Sequence, residues 1–510
     1  MSQFNLIDEK WIPVRFSDGS RDELGIRDTL LRSKEIAAIE DPSPLVVVAL
    51  HRFLLALLYR ALEGPTDIEQ AKALFRDGLP SEKITAYLEK WQDRFWLFDE
   101  GYPFYQVSAY EPQEKKEWKS WPAIAAEHNA NNAKVLFDHI EIAAAGPTPS
   151  RMAARWLVAC QTFALGGGNS DFVYTKTAPS ATAAMVLPLG IHLHDTLLVS
   201  LVPENKEVLA DDRPIWEQEP VPLASLKNGI ARPAMGVVDL YTWLARSITF
   251  HLDGNGETLS ELAFASGVEC SSEGYIDPML GYRIDDKWGR LPIQFRHRGL
   301  WRDFDSLLPD DSHLAPKVIE HASVLSRSNR DRIPRSVLVL GQANNKAKIE
   351  YWRMERFALP EALTGDRFIR TEIRQLLKEA EDAQKSLWLA CRSYARDILS
   401  RGEREPDKKD IKAFVEQMPV NSWYWSTLES RFHDILREYT LERDFEDIRC
   451  QWLESVRGTL KKAWGQHRAS VSMGDAWAIR ALVKAEGPVL RKLKELNDEI
   501  AKLEPRKEVL

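Results

Sequence analysis

The sequence predicts an α+β protein. A large mixed N-terminal domain, residues 1–362, is followed by a C-terminal four-helix bundle, residues 366–510. Two observations predict this. Ahead of Asp366, short apolar runs of strand length mix with helical stretches and many loops, without the regular alternation that a βαβ repeat imposes. From Asp366 on, apolar residues recur at helical spacing in four successive stripes.

The chain opens with two apolar pairs, Leu6-Ile7 and Trp11-Ile12, around a charged turn, and continues through Pro13 to the turn residues Ser17-Asp18-Gly19-Ser20. This reads as a β-hairpin. Pro13 lacks an N–H, which assigns the second strand to a sheet edge. Pro44 to Leu62 predicts a helix, with shorter ones near 66–76 and 80–95. Trp96-Leu97-Phe98 and Phe104-Tyr105-Gln106-Val107 read as strands around a Gly101-Tyr102-Pro103 turn. An amphipathic helix over 149–165 ends at a run of glycines. Strands are expected at 183–188, 191–202 and 336–340.

The first stripe of the bundle runs through Ile369, Ile373, Leu376, Leu377, Ala380, Leu387, Tyr394 and Ile398. The second runs through Leu428, Phe432, Ile435, Leu436 and Tyr439, and the third through Phe445, Ile448, Trp452, Val456, Leu460 and Trp464. The fourth, Ile479, Leu482, Val483, Leu490, Leu493 and Ile500, is expected to kink at Gly487-Pro488. Long amphipathic helices with short connections pack as a bundle. The charged 401–411 stretch reads as a solvated connector, and the boundary falls near 362–366, after Leu359-Pro360.

Composition narrows the function. Of 510 residues 44% are hydrophobic, enough for a sizeable core. Seventeen are Trp, and Trp156, Trp388, Trp452 and Trp464 are expected to pack in it. The four Cys, at 160, 270, 391 and 450, are too far apart for a zinc ribbon or a CxxC motif, and reduced thiols in a cytoplasmic protein are expected. The 44–62 helix carries His51, Arg52 and Arg60, which argues for a buried helix over a membrane span. The net charge of −8 excludes a protein that binds DNA over its whole surface. Residues 366–510 hold 28 Lys+Arg against 26 Asp+Glu, a net +2 that leaves −10 for the first 365. Any nucleic-acid contact is therefore focused at particular loops or shared with partner subunits.

Four loops stand out. Gly166-Gly167-Gly168-Asn169-Ser170 has more glycine than a helix C-cap needs, and it lets backbone groups approach a ligand without Cβ interference. It is not a Walker loop, because no Lys-Ser/Thr follows and the glycines leave a helix instead of opening one. Asp285-Asp286-Lys287-Trp288-Gly289 reads as a hairpin turn with a projecting lysine, by itself a solvated one. Gly341-Gln342-Ala343-Asn344-Asn345-Lys346-Ala347-Lys348-Ile349 follows an apolar strand and reads as a polar turn in which Asn takes the left-handed conformation. His128-Asn129-Ala130-Asn131-Asn132-Ala133-Lys134-Val135-Leu136-Phe137-Asp138-His139 reads as a long surface loop, with Asn suited to base edges and Lys134 to phosphate.

The opening string Phe4-Asn5-Leu6-Ile7-Asp8-Glu9-Lys10-Trp11-Ile12-Pro13-Val14 closely resembles the N-terminal signature of the CasA family, the large subunit of the type I-E CRISPR Cascade complex. The four loops resemble that family's functional loops in order and approximate spacing, so the resemblance covers essentially the whole chain. It implies that Gly166, Gly167, Gly168 and Asn169 lie on the protospacer-adjacent motif (PAM) of target DNA. It implies that Lys287 is the family's lysine finger in the minor groove, with Arg290 and Arg283 as alternatives. Asn344, Asn345, Lys346 and Ala347 correspond to the wedge that parts the strands. The family typically has Gln where this chain has Lys346, which exchanges a bifunctional amide for a phosphate-seeking charge. Asn129, Asn131, Asn132, Lys134, Val135, Leu136 and Phe137 correspond to the loop that docks on the 5′ handle of the guide RNA and reaches the PAM.

The resemblance further implies a non-catalytic, cytoplasmic subunit with no cofactor and no membrane contact. Its partners would be the CRISPR RNA 5′ handle, target double-stranded DNA, the Cascade backbone and small subunits, and a separate helicase-nuclease. Some family members carry a Cys-rich zinc site ahead of the lysine finger; only Cys270 stands there in this chain, so no metal is expected. Against an enzyme, no GxSxG, HExxH or Walker A motif occurs. His192 and His194 share a predicted strand face without a third ligand, Asp211-Asp212 and Asp310-Asp311 are loop carboxylate pairs, and Arg296-His297-Arg298 is a basic cluster. A hydrolase and a purely structural scaffold are the alternative readings.

Overall fold

The structure, a computed structural model, describes residues 3–108, 110–112, 118–128, 145–168, 170–271, 275–308, 313–326, 332, 336–358, 367–439, 443–472 and 474–503. The chain divides into two compact units, Met1–His297 with Pro309–Arg356, and Arg298–Leu308 with Phe357–Leu510.

The first unit is mixed. Its central helix, Pro44–Leu62, is apolar on nearly every face and buried on nearly every face. It is long and apolar enough to cross a membrane, but 94% of it is buried inside the protein. Its polar residues all find partners there. His51 Nδ1 donates to the Val47 carbonyl at 2.7 Å, Arg52 pairs with Asp277 at 2.6 Å, and Arg60 pairs with Glu217 at 2.7 Å. Phe53 on the same helix meets Trp11, Phe104 and Trp216 edge-on, with centroids 5.5–5.9 Å apart.

The unit also contains several small sheets. In the first, Ile12–Phe16 lies between Arg21–Leu24 and Ile36–Ile39. The opening hairpin is thus formed one strand later than the sequence suggested. Leu6-Ile7 is not a strand, and the residues that pair ahead of it, Gln3–Asn5, pair with Trp96–Phe98. Pro13 sits in the central strand, not at an edge. It is tolerated because the third strand pairs only from Val14 onward, and at Pro13 only the carbonyl is used, accepting from Glu40 N at 3.1 Å. The second sheet joins Arg246–Leu252 and Thr258–Ser266 with short strands at Lys119–Ser120 and Thr148–Pro149. The third orders Lys348–Ala358, Ser336–Asn345 and Met185–Pro188.

Helices form at Ile68–Asp77, Ser81–Lys90 and Ser150–Phe163, close to where they were expected. Two local readings fail. Phe104–Val107 is not a strand: Tyr105 has φ 58°, which breaks an extended run. Much of 191–202 is not a strand either, because Leu193–Ser200 is a helix buried along its whole length. Burial on every side removes the periodicity that separates a helix from a strand.

In the second unit the helices are Arg367–Ser400, Lys408–Gln417, Val420–Glu438, Phe445–Ser470, Ala476–Ala485 and Gly487–Leu503. The first three stripes lie in its core, with Ile373, Leu387, Leu428, Phe432, Trp452 and Leu460 buried, whereas of the fourth only Leu482 and Ile500 are buried and Val483 and Leu490 are exposed. The Trp452 indole N–H donates to the Leu376 carbonyl at 2.8 Å and the Tyr424 hydroxyl to that of Ala380 at 2.8 Å. The fourth stripe is broken at Gly487, where one helix has ended at Ala485 and the next begins. The 401–411 stretch is not all connector, since Lys408 starts a helix capped by Asp407, whose carboxylate accepts from Lys409 N at 2.8 Å. Trp388 is 38% exposed, unlike buried Trp156, Trp452 and Trp464.

The expected boundary at 362–366 lies outside the described residues. Residues 298–308, read as part of the N-terminal domain, belong to the helical unit. Trp301 packs against Trp425 and Phe432, and Arg302 pairs with Glu381 at 2.7 Å.

Candidate nucleic-acid interface

The Ser150–Phe163 helix delivers the chain to the glycine loop. The segment that follows folds back on itself. Ala178 N donates to the Ala164 carbonyl at 2.9 Å, Gly166 N to Thr177 Oγ1 at 2.9 Å, and Gly167 N to the Thr175 carbonyl at 3.1 Å. Thr175 N in turn reaches the Gly168 carbonyl at 3.1 Å, and Ser170 Oγ the Val173 carbonyl at 2.7 Å. The neck is tied by Arg246, only 2% exposed, whose guanidinium donates to the Leu165 carbonyl at 2.7 Å and the Lys176 carbonyl at 2.8 Å. Gly167 and Gly168 take φ of +136° and +79°, backbone that favours glycine. Asn169 lies outside the described residues.

The 341–349 segment forms a hairpin, strand Ser336–Asn345 returning as Lys348–Ala358 around Lys346-Ala347. The left-handed residue is Lys346, with φ 56°, not an Asn. Asn344 instead supplies its side-chain amide, donating to the Lys346 carbonyl at 2.7 Å. Asn345 and Lys346 are exposed at the tip.

The hairpin tip and the glycine loop touch. A Cβ placed on Gly167 would lie 2.4 Å from the Ala347 Cβ, so only a residue without a side chain fits there. Behind this contact Gln342, fully buried in the outgoing strand, donates to the Phe163 carbonyl at 2.8 Å and the Ala181 carbonyl at 3.0 Å. The first of these is a helix-terminal carbonyl with no intrahelical partner. A cavity of about 220 Å³ opens beneath, lined among others by Glu127, Gly167, Thr175, Arg246, Gln342 and Ala347. Cys160 also faces it, and burial pushes its thiol up to about 11, away from reactive thiolate. Arg246 and Gln342 carry no sequence signal, because each acts through partners far away in the chain.

Lys287 lies on a second hairpin, Tyr282–Asp285 with Gly289–Pro292. Asp285 Oδ1 accepts from the N–H groups of Lys287 and Trp288, both at 3.0 Å, and Gly289 has φ +70°. The Lys287 ammonium stands 4.7 Å from the centroid of the Trp288 ring. The foot of this hairpin is anchored in the core. Asp277 N donates to the Tyr282 hydroxyl at 3.0 Å, and the Asp277 carboxylate takes the Arg52 guanidinium and the Ser180 hydroxyl. Arg283 reaches Asp285 at 3.7 Å, while Arg290 is exposed. Lys287 is not among the residues lining the cavity. The expected guide-RNA loop, Asn129, Asn131, Asn132, Lys134, Val135, Leu136 and Phe137, lies outside the described residues.

The enzyme-like constellations do not assemble. His194 is buried and 3.3 Å from Asp195, whereas His192 meets Ser17. Asp212 is buried and accepts the N–H groups of Val238 and Asp239, and Asp310-Asp311 lies outside the described residues. His297 pairs with Glu350 and Arg298 with Asp303. Among the described residues no group of three His, Cys, Asp or Glu is placed to hold a metal ion.

Comparison with known proteins decides the family. The family model for CRISPR-associated protein Cse1 matches residues 5–463. The chain belongs to the Cse1 (CasA) family, the large subunit of the type I-E Cascade complex. It is 33% identical to CasA/Cse1 of Thermus thermophilus, over 98% of this chain and 99% of that one. The Thermus thermophilus CasA (Cse1) structure matches with a TM-score of 0.85 at 32% identity, over 97% of this chain and 100% of that chain. Cse1 of Acidimicrobium ferrooxidans shares the fold, with a TM-score of 0.79 at 24% identity over 98% and 99% of the two chains. A chain of a CRISPR RNA-guided surveillance complex shares it too, with a TM-score of 0.71 at 17% identity over 98% and 100%. The Cse1 fold therefore spans both units of this chain.

Proposed function

We propose that this Cse1-family chain is the non-catalytic subunit that recognises the PAM in target double-stranded DNA and starts strand opening for the guide RNA. The observation that carries this reading is the contact of Gly167 with Ala347. Two segments 180 positions apart, one suited to close backbone approach and one to wedging, meet at a single surface. Glycine backbone with no side chain reaches the floor of the minor groove, where the donor and acceptor pattern is degenerate. Several PAM sequences are therefore tolerated. Lys287 adds a cation in the groove, and the Asn344–Ala347 tip opens the neighbouring base pairs. Guide pairing then takes over the reading of sequence.

The partners follow from the family: the 5′ handle of the CRISPR RNA, through the 129–137 loop, and the Cascade backbone and small subunits, the latter against the helical unit. A separate helicase-nuclease is recruited to cut, and the setting is cytoplasmic. Because the net charge is −8, the isolated chain binds DNA weakly and acts within the complex.

The test is a gel-shift titration of a guide-RNA complex reconstituted with and without this chain, on target duplexes with a matching or a scrambled PAM. Tight binding is expected only when chain and PAM are both present. Binding indifferent to the chain refutes the reading.

A further inference from the structure

Trp288 is the most exposed large apolar side chain among the described residues, at 68%. The fold does not require an indole there. The turn is made by the Asp285 carboxylate on two backbone N–H groups and by Gly289 in left-handed backbone, and the hairpin register runs Asp285 to Gly289 and Ile284 to Arg290. A tryptophan left in water forgoes the burial of some 150–250 Å² that makes the residue useful in a core.

Two cations stand near the ring, although the same turn also carries Asp285, whose carboxylate is held by two backbone N–H groups, and the exposed Asp286. The Lys287 ammonium is 4.7 Å from its ring centroid, which holds cation and ring together at the tip. Ile284, 43% exposed, stands opposite the exposed Arg290 in the ladder. An exposed apolar ring with Lys287 against it and Arg290 nearby, at the tip of a β-hairpin, is the chemistry of an element that enters a DNA groove. The cations meet phosphates, and the ring packs on sugars or wedges at a base step.

We propose that Trp288 is a second DNA-contacting residue of this hairpin, its indole packed into the minor groove of the target duplex beside Lys287. This rests on the reading of the chain as a PAM-recognition subunit.

The experiment compares complexes carrying wild-type chain, Trp288→Ala, Trp288→Phe and Lys287→Ala. Each is titrated with PAM-bearing duplex, with scrambled-PAM duplex and with single-stranded target. Trp288→Ala is expected to lose about five- to fiftyfold in affinity for the PAM-bearing duplex, the scale of lost aromatic stacking on nucleic acid. Trp288→Phe should stay within about threefold of wild type, since a smaller ring still packs, and single-stranded target, which needs no groove, should bind all four complexes alike. Wild-type affinity of Trp288→Ala alongside a loss in Lys287→Ala overturns the proposal and leaves the PAM reading standing. Poor incorporation of Trp288→Ala into the complex, with normal DNA affinity once incorporated, assigns the indole to a subunit contact and overturns it too. If the wild-type complex itself ignores the PAM, the functional reading fails and the proposal with it.

Discussion

Gly167 and Ala347 pack so closely that a β-carbon on the glycine would sit 2.4 Å from that of the alanine. Real carbon pairs do not approach to that distance, so the glycine loop and the hairpin tip form one surface only while residue 167 lacks a side chain. Its neighbour Gly168 has left-handed backbone but nothing within 4 Å of a built Cβ. Gly168 therefore requires backbone freedom alone, whereas Gly167, with φ +136°, requires both backbone freedom and space.

Gly167→Ala should destabilise the first unit by about 1–3 kcal/mol through overpacking, on top of the backbone term of its positive φ. Gly168→Ala should cost only the backbone term, about 1 kcal/mol. Adding Ala347→Gly to Gly167→Ala should return part of the loss, and in a double-mutant cycle read by denaturant unfolding the pair should couple. Equal losses at 167 and 168 with no coupling would contradict the contact.

Because any side chain at 167 clashes, charge is better tested at 168. Gly168→Asp should match Gly168→Ala in stability, while PAM-duplex binding falls further in the Asp variant and the gap narrows at high salt. Equal Kd values for the two variants at low salt would place the loop away from phosphate.

Lys346 occupies left-handed backbone, which costs a residue with a Cβ about 1 kcal/mol. Lys346→Gly should leave the hairpin as stable or slightly more so, yet slow strand opening followed by 2-aminopurine fluorescence. An unchanged opening rate would remove the Lys346 side chain from the wedge.

Arg52 and Asp277 form an ion pair with side-chain exposures of 1% and 2%. Arg52→Ala leaves a buried carboxylate uncompensated and should cost about 3–5 kcal/mol in urea unfolding. Asp277 also holds Tyr282 at the foot of the Lys287 hairpin, so a destabilised but folded variant should lose PAM discrimination as well.

Burial pushes His51 and His321 down to about 4. Between the ordinary histidine value of about 6.5 and 4 the unfolded chain takes up protons that the folded chain refuses, so stability falls as pH drops through that window. Burial acts in the opposite direction on Asp212, raising it to about 6, and its protonation in the folded state partly offsets the loss on acidification. The denaturation midpoint should decline between pH 6.5 and 4, and His321→Gln should flatten the decline. A midpoint indifferent to pH in the wild type would mean that these histidines are not buried as described.

Much of the fold was legible locally. Nineteen apolar-rich residues between Ser43 and Glu63 specify one buried helix, the four stripes after Asp366 specify the helical unit, and Gly487-Pro488 marks its break. The hairpins bearing Lys287 and Lys346 were legible as turn residues between apolar runs, and the opening string pointed to the family. These features live in periods of two or 3.6 residues, which a single chain displays without its partners.

Other features were decided by the tertiary structure. Leu193–Ser200 is a helix because it is buried on all sides, Pro13 enters a central strand because the neighbouring strand starts one residue later, and residues 298–308 join the helical unit through Trp301. The closure of the glycine loop by Arg246, its link through Gln342 to the hairpin, and the meeting of Gly167 with Ala347 join residues 70–180 positions apart. No local pattern encodes such a pair, since the constraint is the volume left between backbones that only folding brings together.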